Sequence, residues 1–124
     1  MARLCQGQIV WAWAADPKGN NFKRRPIVIL TRNHEVNATD DLFGVVASHT
    51  AWCRKPWPSC YVELPHDPNG DCPTMLRKPT VADCSWVIHF LKSGIEDVAG
   101  IVPSLLIEMI LIKVEAERLG KRLQ

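Results

Sequence analysis

Residues 7–31, GQIVWAWAADPKGNNFKRRPIVILT, carry the clearest signals of secondary structure in the chain. The first part of this stretch, residues 7–14, has the bulky and β-branched side chains that are typical of a strand. A cluster of turn-forming residues follows at 16–21. Residues 27–31 form a short apolar run of the kind found in strands buried on both faces, and Pro26 suits the first position of such a strand. The segment therefore predicts two strands joined by a polar loop.

The rest of the chain predicts four further short strands and one helix. From Pro103 onward the apolar residues recur at helical spacing, and Gly120 is a candidate helix stop. This helix is apolar around much of its circumference, which favours burial against a sheet and against a second subunit. The further strands are expected at residues 42–48, 60–64, 80–82 and 86–90. The sum is a mostly β (α+β) domain, in which five or six short strands curl into a small sheet or barrel that packs on a C-terminal helix.

Length and composition bound the function classes. With 124 residues, the chain is expected to form a single domain, 1–124. Its hydrophobic fraction of 47% excludes an intrinsically disordered chain, because enough apolar side chains are present to fill a core. Residues 1–62 contain eight Lys/Arg and four Asp/Glu, whereas residues 63–124 contain seven and nine. The basic first half is compatible with a polyanionic ligand.

The chain is expected to be a mature cytoplasmic protein without a membrane segment. No charge-free apolar stretch approaches the roughly 20 residues that span a bilayer. The apolar run near the N-terminus resembles a signal peptide, but the polar residues of 5–8 (CQGQ) interrupt it. The five cysteines contain no C-x-x-C pair, which favours reduced structural thiols over disulfides. His66 and Cys72 lack further ligands at metal-binding spacing, so neither a metal nor another cofactor is expected.

Several segments together carry a resemblance to a known family. They include the Gly-x-Ile strand start at 7–9, the Asp-Pro-x-Gly turn at 16–19, and the Arg-Pro pair at 25–26. Residues 45–51 (VVASHTA), 61–64 (YVEL) and 76–81 (LRKPTV) follow in the same order. With the apolar C-terminal helix, this ordered set resembles the MazF/PemK family of toxins from bacterial toxin–antitoxin systems over nearly the whole chain.

The resemblance implies a fold and an activity. The expected fold is a small SH3-like β-barrel with a C-terminal helix, usually a homodimer. The expected activity is metal-independent endoribonuclease cleavage of single-stranded RNA, which inhibits growth until a cognate antitoxin neutralises the toxin. In such cleavage the ribose 2′-OH attacks the adjacent phosphate. The protein must supply a general base, a proton for the leaving 5′-oxygen, and a cation for the phosphorane.

The resemblance also assigns residues. Arg25 matches the family's catalytic arginine, and its guanidinium fork suits two phosphate oxygens. Thr50 matches the hydroxyl that hydrogen-bonds the phosphate. Asn20, Asn21 and Arg24 are candidate RNA-binding residues of the same loop. Trp52, Arg54 and Lys55, together with Trp57, are expected to combine base stacking with phosphate contacts, as single-strand binders do.

The match to the family's acid–base set is incomplete. Many members carry a Glu where this chain has Asn20, and an amide cannot accept a proton at neutral pH. Ala82 and Cys84 fall on positions where some members have Arg and Asp, and a one-residue shift would place Asp83 there instead. The candidate substitutes for the base are His34, His49 and His66. Neighbours on a strand point to opposite faces, which weighs against His49 sharing a site with Thr50.

Two alternatives to the ribonuclease therefore remain. The first is a protein of the same fold that has lost catalysis and binds single-stranded nucleic acid or a partner peptide. The second is an SH3-like interaction domain without a nucleic-acid role. Binding of RNA should weaken steeply with salt, and binding of an apolar peptide should not.

Overall fold

The computed structural model describes residues 3–16, 18–49 and 55–122, with Arg122 described by its backbone alone. Within these residues lie six strands, two α-helices and a short 3-10 turn at Lys92–Gly94. The strands are β1 (Gln8–Ala14), β2 (Lys23–Ile29), β3 (Asp41–His49), β4 (Tyr61–Leu64), β5 (Thr80–Leu91) and β6 (Ile95–Ile101). The helices are α1 (Asn33–Val36) and α2 (Ser104–Arg122).

The six strands form one antiparallel sheet in the order β4-β5-β3-β2-β1-β6. The predicted class, a mostly β domain of short strands with a C-terminal helix, is confirmed. Because β4 and β6 are the edge strands, the backbone hydrogen bonds of the described residues do not close the sheet into a barrel. The sheet buries side chains on both of its faces.

The two faces bury different sets of residues. The helix-side core lies between the sheet and α2, and the far-side core lies on the opposite face of the sheet. On β2 the side chains alternate between them, with Val28 in the helix-side core and Ile27 and Ile29 in the far-side core. The helix-side core includes Ile9, Val45, Ala82, Ile107 and Ile110. The far-side core includes Leu4, Val10, Val36, Val46 and Phe90. The apolar run of β2 is thus buried on both faces, as its sequence predicted.

Pro26 lies inside β2 and not at its first position. The strand begins at Lys23, and Pro26 stands opposite Trp11 of β1. The register between β2 and β3 runs only from Ile27 to Ile29. The first half of β2 therefore pairs with β1 alone, and a proline is tolerated there as it is on an edge strand.

The segments at 80–82 and 86–90 are one strand, β5, and not two. The register passes from Ala47↔Ala82 to Val45↔Val87, so residues 83–86 bulge opposite the single Val46. Within the bulge, the Asp83 carboxylate accepts hydrogen bonds from the backbone N–H of Ser85 (3.0 Å) and its hydroxyl (2.6 Å). In the sequence, these polar residues suggested that one strand ends and another begins. In the structure they form a bulge, and the strand continues through it.

Strand β6 was not predicted. Its sequence, IEDVAGI, mixes charged and small residues because it is an exposed edge of the sheet. Near its end, a Cβ on Gly100 would lie 2.0 Å from the Pro73 carbonyl oxygen. Only glycine therefore allows this edge to approach the turn that precedes β5.

Helix α2 begins as expected but does not stop at Gly120. The Pro103 carbonyl accepts hydrogen bonds from the N–H groups of Leu106 (3.0 Å) and Ile107 (3.1 Å), which starts the first turn. The helix continues past Gly120 to Arg122. An exposed glycine costs a helix only about 1 kcal/mol relative to alanine, which is too little to end it. No helix among the described residues is long and apolar enough to cross a membrane.

Candidate functional site

Arg25 lies half-buried near the start of β2, and three contacts fix its guanidinium. Its Nε donates to the Ala14 carbonyl oxygen (3.0 Å), and one terminal nitrogen donates to the Asn21 carbonyl oxygen (2.7 Å). The group also lies over the Trp86 ring, 4.8 Å from the ring centroid. Among the described residues, no carboxylate oxygen lies within 4.0 Å of its nitrogens. Two of the five N–H bonds are used, so a fixed cation that forms no direct ion pair among the described residues keeps donors for an anion.

The loop between β1 and β2 is organised by Asp16. Its carboxylate accepts hydrogen bonds from the backbone N–H groups of Lys18 (3.0 Å) and Asn20 (2.8 Å) and from the Asn21 side-chain amide (2.8 Å). Asn21 has a φ of 53°, a left-handed conformation that asparagine tolerates better than most residues. Asn20 and Asn21 are thus turn formers, and the Asn21 carbonyl also orients Arg25.

These hydrogen bonds lower the pKa of Asp16. The bond from the Asn20 backbone N–H has the largest effect, and the positive charge of Arg25 adds to it. A carboxylate with a lowered pKa is a weaker base, and its oxygens are already occupied. Asp16 therefore stabilises the loop and is poorly suited to remove a proton from a ribose hydroxyl.

Arg24 is directed to the opposite face of the hairpin. Its guanidinium lies over the Trp11 ring, 4.7 Å from the centroid, and 3.8 Å from an Asp97 carboxylate oxygen. The two neighbouring arginines therefore do not form one cationic patch. Arg24 is paired with an acid, whereas Arg25 is not.

The predicted stacking segment is described only in part. Thr50, Trp52 and Arg54 lie outside the described residues. The ammonium of Lys55 lies 4.7 Å from the centroid of the Trp57 ring, which brings a cation and an aromatic ring together.

Among the described residues, no contact is recorded between Arg25 and any of the candidate bases. On α1, His34 Nε2 lies 3.3 Å from Glu35 Oε1. Both residues line a surface hollow that His89 also lines. His49 is the exposed last residue of β3, and His66 is exposed in the turn after β4. Asp83, the carboxylate that a one-residue shift would supply, bonds within the β5 bulge and accepts a hydrogen bond from the Cys60 thiol (3.7 Å).

A groove of about 940 Å³ lies between α2 and the strands β3 and β5, away from Arg25. Its lining includes apolar side chains such as Phe43 and Leu111 and charged side chains such as Arg118. None of Asn20, Asn21, Arg24, Arg25 and Lys55 lines it. The described residues also contain no cluster of three or more His, Cys, Asp or Glu side chains able to hold a metal ion.

Trp86 is the residue of this site that the sequence did not single out. A lone tryptophan in a β-like run gave no sign that it would meet Arg25, which is 61 positions earlier in the chain. The only available sign was its place directly after the polar residues 83–85, where the bulge forms.

The fold is similar to several solved structures. Over 95% of this chain and 96% of the other, it matches a mycobacterial endoribonuclease in complex with its cognate antitoxin, with a TM-score of 0.68 and 17% identity. The Mycobacterium tuberculosis toxin MazF-mt6 matches over 89% of this chain and 94% of its own, with a TM-score of 0.65 and 16% identity. A MazE–MazF complex from Deinococcus radiodurans matches over 94% and 95%, with a TM-score of 0.65 and 14% identity.

No protein-family model matches the sequence, and no curated protein matches it significantly. At identities this low, similarity of structure establishes the fold and leaves the activity to be argued from the site. The family resemblance seen in the sequence is confirmed at that level. The chain therefore has the fold of the MazF toxins.

Proposed function

We propose that this protein is the toxin of a toxin–antitoxin system and a metal-independent endoribonuclease that cleaves single-stranded RNA. The observation that carries the proposal is Arg25, a half-buried guanidinium fixed by two carbonyls and a ring, with no carboxylate partner among the described residues. The fold supports it, because similar structures include a mycobacterial endoribonuclease.

In the proposed reaction, Arg25 stabilises the negative charge on the scissile phosphate. The 2′-hydroxyl loses its proton to a base and its oxygen attacks phosphorus. The bond to the 5′-oxygen breaks, that oxygen takes up a proton to leave as a hydroxyl, and a 2′,3′-cyclic phosphate forms. Negative charge builds up on the non-bridging oxygens in the transition state, and the unused N–H groups of Arg25 donate to them. Thr50 would add a hydroxyl donor to the same phosphate, and Asn20 and Asn21 would contact the RNA beside it. Trp52, Arg54 and Lys55 would bind the flanking nucleotides.

A cleavage assay with a matched control tests the proposal. Wild-type protein, Arg25→Ala and Arg24→Ala are incubated with mixed-sequence single-stranded RNA in EDTA, and the product ends are identified. We expect discrete cuts that end in 2′,3′-cyclic phosphate, a loss of roughly 10²–10³-fold in rate for Arg25→Ala, and a much smaller loss for Arg24→Ala. Equal losses in both variants would mean that general positive charge, and not the fixed Arg25, is responsible.

A second candidate function is a non-catalytic module that binds single-stranded nucleic acid or a partner peptide. The observation that favours it is that the β1–β2 loop lacks a good general base. The Asn20 amide cannot accept a proton, and the lowered pKa of Asp16 makes its carboxylate a weak base. Folded protein that cuts none of the RNAs tested, but binds them with a steep salt dependence, would support this reading. Binding that is insensitive to salt would favour the peptide-binding alternative.

The proposed partners are a cognate antitoxin and a second copy of this chain, both in the cytoplasm. Support for a homodimer comes from α2, where the exposed apolar residues Leu105, Met109, Ile112, Ala116 and Leu119 repeat at the 4-3-4-3 spacing of paired helices. Ile112 is 70% exposed, so Ile112→Glu should not disturb the fold of the protomer. We expect sedimentation to show a dimer for the wild type and a monomer for this variant. A dimer in both cases would place the contact elsewhere.

A further inference from the structure

The contact between Arg25 and Trp86 joins two distant parts of the chain. Arg25 is on β2, Trp86 is on β5, and β3 lies between these strands in the sheet. The guanidinium is 4.8 Å from the ring centroid, within the range of a cation–π interaction. Trp86 itself packs against the far-side core, so its ring is held in place by the interior of the protein.

The β5 bulge directs Trp86 to this position. Ala82, before the bulge, and Cys84, in its first half, belong to the helix-side core. From Trp86, the last residue of the bulge, the even-numbered side chains change face, and Trp86, Ile88 and Phe90 belong to the far-side core or pack against it. In an uninterrupted strand, residues two apart share a face, so without the bulge Trp86 would face α2.

The indole nitrogen of Trp86 is a further sign that the ring is not there for packing alone. It is buried, and it has no hydrogen-bond partner among the described residues. A buried N–H without an acceptor costs free energy, and buried tryptophans usually find one. Phenylalanine or leucine would fill this site without that penalty, so packing alone does not account for a tryptophan here.

We infer that Trp86 is a positioning residue for Arg25, and that its ring holds the guanidinium over the site where a phosphate is bound. This inference rests on the proposed ribonuclease function. The two carbonyl acceptors fix one edge of the guanidinium, and the ring fixes its plane, so the free edge is oriented before the substrate arrives. Orientation of this kind lowers the barrier of the chemical step, because the group need not be ordered during the reaction.

The chain supplies its own control. Arg24 lies over Trp11 at nearly the same distance, 4.7 Å from the centroid, but on the opposite face and paired with Asp97. Replacement of Trp11 removes an arginine–tryptophan contact of the same kind without affecting the orientation of Arg25.

The first experiment compares Trp86→Leu, Trp86→Phe and Trp11→Leu with the wild type in steady-state RNA cleavage, at a temperature where circular dichroism shows all four folded. We expect kcat to fall about 10–100-fold in Trp86→Leu with KM changed little, and to remain near the wild-type value in Trp11→Leu. Trp86→Phe should show a smaller loss than Trp86→Leu, because a phenylalanine ring attracts a cation less strongly than a tryptophan ring does. Wild-type kinetics in Trp86→Leu would overturn the inference. So would a loss in Trp86→Phe equal to that in Trp86→Leu, because the aromatic face would then not matter.

The second experiment does not depend on activity. In ¹⁵N-labelled protein, the Nε–H resonance of Arg25, identified by its absence in Arg25→Lys, should be resolved, shifted by the ring current and protected from exchange. Trp86→Leu should remove the shift and reduce the protection, part of which comes from the hydrogen bond to the Ala14 carbonyl, and Trp11→Leu should leave both unchanged. A wild type that cuts no RNA but shows these changes would refute the proposed function and leave the positioning role. An Arg25 resonance that is unchanged in Trp86→Leu would refute the positioning role whether or not RNA is cut.

Discussion

Arg24 and Arg25 are adjacent in the sequence, but their guanidinium groups lie on opposite faces of β2, each over a different tryptophan. Asp97 compensates the charge of Arg24, whereas among the described residues Arg25 contacts only neutral groups. This relationship decides which of the two can bind a phosphate without first breaking an ion pair.

Arg25→Lys should keep the positive charge but lose most of the activity. A lysine ammonium cannot donate to the Ala14 and Asn21 carbonyls in the fork geometry of a guanidinium while also contacting a phosphate. We expect a loss in kcat smaller than the roughly 10²–10³-fold expected for Arg25→Ala, but still clear in single-turnover cleavage. Full activity in Arg25→Lys would mean that charge alone is sufficient, and that the fixed geometry of Arg25 plays no part.

Asp16→Asn should destabilise the β1–β2 loop in a pH-dependent way. Because the pKa of Asp16 in the folded protein is below 3.8, its ionised form stabilises the fold above that value. This contribution is lost as the pH falls through the lowered pKa. We expect urea unfolding to show the wild type more stable than Asp16→Asn at pH 7, with the difference shrinking toward pH 3. A difference of the same size at both pH values would contradict the assignment.

Gly44→Ala should be destabilising, because β3 and β2 approach closely at this point. A Cβ on Gly44 would lie 2.2 Å from the Val28 carbonyl oxygen and 2.9 Å from an Ile27 side-chain carbon. Relief of such an overlap in a packed sheet costs about 1–3 kcal/mol in the free energy of unfolding. Gly94→Ala is the matched control, since its Cβ would meet nothing within 4 Å, and its effect should stay within about 0.5 kcal/mol. Similar unfolding curves for the two variants would show that the sheet is looser than described.

The thiol of Cys84 should be unreactive in the folded protein. Burial raises its pKa to about 12, and the neighbouring Cys60 and Asp83 act in the same direction. The thiolate is the reactive form, so at pH 8 iodoacetamide should leave Cys84 unmodified until urea unfolds the chain. Mass spectrometry of the digested protein measures this directly. Labelling of Cys84 at equal rates with and without urea would contradict the buried position.

The elements that the sequence predicted well are those whose local pattern is unambiguous. The strand at 7–14, the buried run of β2, and the helix after Pro103 each carry a periodicity or an apolar run that tertiary contacts did not override. Strand β6 was missed because an exposed edge strand needs only one partner and little apolar surface. The division of β5 into two segments was wrong because residues 83–85 have turn chemistry, which here forms a bulge inside a strand.

The local residue pattern was enough to predict a mostly β fold with a C-terminal helix and a polar loop that ends near Arg25. The choice of Arg25 as a catalytic residue came from the family resemblance and stays a prediction. What surrounds its guanidinium depends on contacts between strands that are distant in the chain. Strand alternation sends Arg24 and Arg25 to different faces, and the β5 bulge turns Trp86 toward the far-side core, where it meets Arg25. The position of a ring 61 residues away depends on strand order and on a register shift, and neither is encoded in the local pattern around residue 25.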